Sequence, residues 1–247
     1  MSRVERIIRV IFVLFMAAIL GVIIYGHGGQ SSDVSNWVIA GANVVMAFTA
    51  MMAFKAAPKF LNEFFAREGY RHATEMINET IIHLGINNTF LTDCSHLVQV
   101  YKELLKKSYT QTNKDRFSNA FHRLNVEIKK HREFLNSIEE ASFKMETYGI
   151  YASDSKKNYW IDMTLNLSHM TDTGESILKL LESEVDRYTE NASKGLGRTH
   201  LFTDLYHIDV QTLHKKVTEE WNRMIANRSQ FLSDDKHVKT LFVVKDA

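Results

Sequence analysis

One cysteine, one proline and eleven glycines among 247 residues leave room for few kinds of protein. The single thiol, Cys94, has no intrachain partner, which excludes a disulfide-stapled scaffold and fits a reducing compartment for the bulk of the chain. So few helix breakers, beside abundant Leu, Ile, Glu, Lys, Met and Ala, predict an all-α protein. Excess charge is missing too. Thirty Lys and Arg oppose 29 Asp and Glu, a net +1 that gives no footprint for bulk nucleic-acid binding. Catalytic signatures are missing as well: no zinc-protease helix, phosphate-binding loop, dinucleotide fingerprint or nucleophile elbow is present. The expectation is therefore no catalytic residue, no metal site, no cofactor and no sequence-specific contact with nucleic acid.

What the chain does have is two long apolar runs near its start. "IIRVIFVLFMAAILGVIIYG", 7–26, is interrupted only by Arg9, and 10–25 holds no polar side chain apart from the Tyr25 phenol. The second run, 34–54, carries no charge. About 20 helical residues cross a hydrocarbon layer of about 30 Å. The basic start would suit a signal peptide, but the run ends in bulky "VIIY" and a second run follows at once, so two spans are preferred to a cleaved leader. The link "HGGQSSD" is short and turn-rich, which predicts a helical hairpin over 1–57. Arg3, Arg6 and Arg9 precede the first span. Lys55, Lys59, Arg67 and Arg71 follow the second, and the link has neither Lys nor Arg. By the positive-inside rule both termini are cytoplasmic, in a multi-pass membrane protein.

The second run also holds small and polar residues in register. Ala40, Asn43, Ala47 and Ala50 recur at three- and four-residue steps on one side of a helix, and Ala17 and Gly21 form a matching pair on the first. In lipid, small residues let backbones approach, and an amide bonds across the gap for about 0.5–2 kcal/mol. These six residues are the candidate packing seam, within the hairpin or between copies of it. The sharper alternative is that Asn43 lines a polar path in an oligomer.

From 58 to 235 helical patterns follow one another, predicting a cytoplasmic antiparallel helical bundle. The strongest is a heptad-like stripe from Phe117 through Leu124, His131 and Ile138 to Met145. Gly174 interrupts a later stripe, where Asp172 and Glu175 offer a capping box if a helix restarts. The last residues, 236–247, read as an extended tail, either a terminal strand or a docking peptide. Three clusters invite a sharper reading. His200, His207 and His214 are spaced by seven, about 10 Å apart along a helix, too far for one metal. Cys94 lies on an apolar stripe beside Asp93 and His96 and reads as a buried thiol. "SKGLGRT" offers Lys194 and Arg198 as a candidate anion contact, with a helix-ending glycine turn the preferred reading.

An N-terminal pair of spans such as "IFVLFMAAILGVIIYG" and "WVIAGANVVMAFTAMMAF", joined to a helical domain without catalytic motifs, resembles the two-span membrane effectors of bacterial anti-phage systems, retron-associated ones included. The resemblance is one of architecture across the whole chain and carries over no functional residue. It implies a protein silent until infection, which then damages the inner membrane and stops growth. It further implies partners: the lipid bilayer, copies of the chain, and a cytoplasmic protein or ribonucleoprotein that holds it inactive. The competing expectation is a membrane-anchored scaffold or signalling adaptor acting through coiled-coil contacts.

Overall fold

The computed structural model describes residues 21, 31–105, 107, 110–193, 202–233 and 237–245. They are almost all helical. Six helices run in order: α1 Ser31–Met76, α2 Thr89–Leu104, α3 Gln111–Thr147, α4 Lys157–Ser193, α5 His207–Leu232 and the single-turn α6 Val238–Leu241. Two three-residue strands, β1 Ile150–Ala152 and β2 Phe242–Val244, complete the set. The chain forms two compact units, Met1–Phe64 and Phe65–Ala247. The first predicted span lies outside the described residues except for Gly21, which is helical.

In the first unit α1 continues through Pro58, which lacks the N–H that would bond the carbonyl one turn back. Thr49 returns its hydroxyl to the Val45 carbonyl at 2.7 Å, so a polar side chain in an apolar stretch is satisfied within its own helix.

The second unit has one core. Ala73 and Met76 near the end of α1 join Leu97 and Tyr101 of α2, Leu124, Leu135 and Ile138 of α3, Leu167 and Leu181 of α4, and Val217 and Met224 of α5. The α3 stripe is buried at Phe117, Leu124, Ile128, His131, Leu135, Ile138 and Met145, with Ala120 taking a place beside half-buried Phe121. α1 loosens at its end into a π-turn, Ile77–Ile81, where the Ile82 amide reaches five residues back to the Ile77 carbonyl. Arg228 of α5 caps that end, donating to the carbonyls of Ile81 at 2.7 Å and Ile82 at 2.6 Å. Gly85 and Asn88, both with positive φ, turn the chain into α2.

α4 does not restart at Gly174 but runs straight through it. The glycine is buried under the Phe90 ring, where an added Cβ would lie 3.0 Å from Cζ. Asp172 and Glu175 cap nothing. Both pair with Arg132 of α3 and tie the two helices together. The tail folds back on its own unit. β2 pairs antiparallel with β1, Ala152 opposite Phe242. The Phe242 ring is buried against Trp160 and Phe231, with centroids 5.8 Å from each.

Gly69 of α1 meets this small sheet at close quarters. An added Cβ would overlap Ile150 Cγ1 and come within 3.0 Å of Tyr148 Cβ. In an open helix Gly→Ala gains about 1 kcal/mol. Here overpacking is expected to reverse the sign, so Gly69→Ala destabilises by about 1–3 kcal/mol. Thermal melting followed by near-ultraviolet dichroism checks this, and a raised Tm would show the contact to be soft.

Candidate membrane-spanning helix

A stretch of α1 is apolar on every side, which a water-facing helix avoids. Its most apolar 18-residue window has a mean hydropathy of 1.5, and none of that window is buried within the protein. Val44, Met46, Met51 and Phe54 are 57, 61, 67 and 81 % exposed. Among the described residues this is the one helix long and apolar enough to cross a membrane. Exposed side chains of this kind each forfeit about 1.5–3 kcal/mol in water relative to burial. Past Phe54 the character changes: Lys55, Lys59, Asn62, Glu63 and Arg67 are all exposed, with Lys59 and Glu63 paired at 3.9 Å.

Ala40, Asn43, Ala47 and Ala50 are exposed in steps of three and four along the helix. Around Gly21 an added Cβ would meet nothing within 4 Å. Ala17, Lys194 and Arg198 lie outside the described residues.

No family model, curated protein or solved structure matches the chain.

Elsewhere the structure joins residues that are far apart in sequence. Ser95 of α2 and His214 of α5 meet with Oγ and Nε2 3.0 Å apart, a pairing that no local spacing announces. Burial, aided by Lys102, holds the His214 imidazole below its usual range. A hydroxyl against a neutral imidazole has the form of a nucleophile and its base. But Ser95 sits inside a helix, where the neighbouring amides bond carbonyls four residues back and are not free to hold an oxyanion. The pair ties α2 to α5.

The remaining clusters are also structural in their geometry. Cys94 is fully buried, and burial pushes its thiol up to about 12, far from a reactive thiolate. Asp93 pairs with Arg123 of α3 at 2.5 Å. His207 contacts Gln211 one turn on, and His200 lies outside the described residues. Among the described residues no three His, Cys, Asp or Glu side chains gather as a metal site.

Two buried polar arrangements remain: one lies at a stripe position that spacing marks as core, the other is announced by no local spacing. His131 sits among the rings of Phe90, Phe134 and Trp221, centroids 4.8, 5.7 and 6.2 Å away, with Nδ1 2.7 Å from the Glu127 carbonyl. Glu184 of α4 accepts from both the amide and the hydroxyl of Thr203, each at 2.8 Å, just before α5 begins.

Proposed function

We propose that the protein is a membrane-embedded effector that acts on the bilayer itself rather than by catalysis, of the kind that arrests growth in bacterial anti-phage defence. One observation carries the proposal: an apolar helical stretch whose side chains the protein leaves unburied. Lipid is the solvent that would cover it, since hydrocarbon accepts a helix whose backbone bonds are closed internally. The polar and charged residues from Lys55 onward suit the interface with water and anionic lipid. In this reading 7–26 and 34–54 span as a hairpin in the bacterial inner membrane, with both termini and the second, helical unit cytoplasmic. Ala17, Gly21, Ala40, Asn43, Ala47 and Ala50 form the seam along which spans pair, within one chain and between copies. A change in that pairing opens the bilayer when the cytoplasmic unit receives its cue from a protein or ribonucleoprotein.

The test is membrane potential, read with a voltage-sensitive dye in cells expressing the full chain, with and without phage. Expression at high level or infection is expected to depolarise the inner membrane and stop growth. Asn43→Leu, which keeps apolarity but removes the one amide of the seam, is expected to weaken both effects. Unchanged potential and growth at every expression level, infected or not, would overturn the proposal. A scaffold or adaptor role is the second reading. It is favoured by Phe143, 73 % exposed on the helical unit, and it predicts membrane attachment without toxicity.

A further inference from the structure

An open cleft of about 590 Å³ runs between α3 and α4. Ile138 and Phe143 of α3 and Ile161 and Leu165 of α4 make it apolar. Ile138 is buried at the floor, whereas Phe143, Ile161 and Leu165 stand 73, 48 and 49 % exposed. Glu139 and Glu146 edge the cleft on the α3 side, and among the described residues no cation lines it. Both carboxylates are exposed and neither pairs with a described residue, while the nearby Lys144 is held by Glu140 at 2.6 Å. Glu146 also lines a smaller adjoining cleft of about 200 Å³ that holds Lys157 and Lys245, so Glu139 is the carboxylate farther from any cation of these two clefts.

Three large apolar side chains grouped in one groove of a helical unit mark an interaction surface more often than they arise by chance. Its length limits the occupant. The lining stretch of α3, Leu135 to Glu146, is about 16 Å long, three helical turns. That matches a single helix laid into a groove with anchors at i, i+3 or i+4, and i+7. Charge argues the same way. A second copy set face to face would bring Glu139 and Glu146 against the same two carboxylates, whereas Lys or Arg along a partner helix would complement them.

We propose that this cleft docks an amphipathic helix from a partner protein, about three turns long, with an apolar stripe bordered by Lys or Arg on the side that meets Glu139 and Glu146. The inference names a partner chemistry that the proposed function leaves open. It stands whether or not α1 enters a membrane.

The test uses the full chain in nanodiscs of zwitterionic lipid and two dye-labelled model helices of about 16 residues. Both carry the same leucine stripe, one bordered by Lys and Arg, the other by Glu. The basic helix is expected to bind saturably and the acidic one at least about tenfold more weakly. Phe143→Ser with Leu165→Ser is expected to weaken the basic helix by about tenfold or more. Glu139→Lys with Glu146→Lys should reverse the preference between the two helices. All four side chains are exposed, so an unchanged melting curve separates lost docking from lost fold. Equal binding of the two helices, or binding indifferent to these substitutions, would overturn the proposal. So would efficient cross-linking of Ile161→Cys between two copies, which would put a second copy in the groove. None of these readings depends on membrane potential, so the docking site and the effector role fail separately.

Discussion

Glu184→Ala is expected to destabilise the helical unit by about 3 kcal/mol, lowering its Tm by roughly 6–12 °C. Glu184 is 1 % exposed, and its carboxylate is fully engaged. Oε2 accepts the Thr203 amide, Oε1 accepts the Thr203 hydroxyl, and Arg187 lies 3.6 Å from Oε1. Thr203 precedes the 3₁₀ turn Asp204–Tyr206 that leads into α5, so the carboxylate fixes where that helix starts. Tyr101 of α2 donates its phenol to the Thr203 carbonyl at 3.4 Å. Burial, with Glu184 and Asp204 adding negative charge, pushes that phenol up, which keeps it a neutral donor. Alanine would leave an amide and a hydroxyl without acceptors in a half-buried place, each costing about 1–3 kcal/mol. Arg187 would fare better, because it retains the Tyr206 hydroxyl at 3.1 Å and partial exposure to water. Glu184→Gln keeps one acceptor oxygen and should recover part of the loss. Melting of the parent and the two variants side by side checks the order, and an alanine variant as stable as the parent would show that water replaces the carboxylate.

Such knots explain which parts of the structure can be read from sequence. Helical periodicity is a local signal, and the stripe from Phe117 to Met145 becomes the buried face of α3. The apolar stretch of α1 is legible for the same reason, because composition over one window decides it. Gly174 shows where local reading fails. A glycine that interrupts a helical stripe suggests a break, yet Gly174 sits inside an unbroken helix, at a place where the Phe90 ring comes too close for a side chain. Asp172 and Glu175 have the spacing of a cap, but their partner is Arg132, about 40 residues away. Within the tail read as extended a strand does form at Phe242–Val244, after a helical turn at Val238–Leu241, but its pairing with residues 150–152 depends on a contact distant in sequence. The Ser95–His214 pair and the Glu184–Thr203 cap are invisible for the same reason. Of the predicted seam, Ala40, Asn43, Ala47 and Ala50 share a described helix. Ala17, and with it the pairing of two spans, lies beyond the described residues.

His131 makes stability depend on pH, with a sign that follows from its surroundings. Burial holds its imidazole below the usual range. The Glu127 carbonyl and carboxylate offset this in part, and Lys130 adds to it. A carbonyl only accepts, so the neutral ring carries its proton on Nδ1. Around it Phe90 of α2, Trp221 of α5 and Phe134 of its own helix offer no charge to balance an imidazolium. The Glu127 carboxylate, 3.8 Å away, is already bonded by Thr89 at 2.8 Å. In the unfolded chain a histidine takes up a proton near pH 6.5. The native state binds fewer protons below that point, so stability is complete above about pH 6.5 and is lost as the pH falls. One such group contributes a slope of at most about 1.4 kcal/mol per pH unit until the native imidazole itself protonates. His214, held down by burial and Lys102, acts in the same direction. His131→Leu keeps the site apolar, and the Glu127 carbonyl retains the backbone amide of residue 131 within α3. Denaturant unfolding of parent and variant between pH 7.5 and 5 is therefore expected to show a flatter profile for His131→Leu, with His214 contributing to the slope that remains. Two parallel profiles would mean that the buried ring keeps an ordinary affinity for its proton and that the ring cage does not penalise the charge.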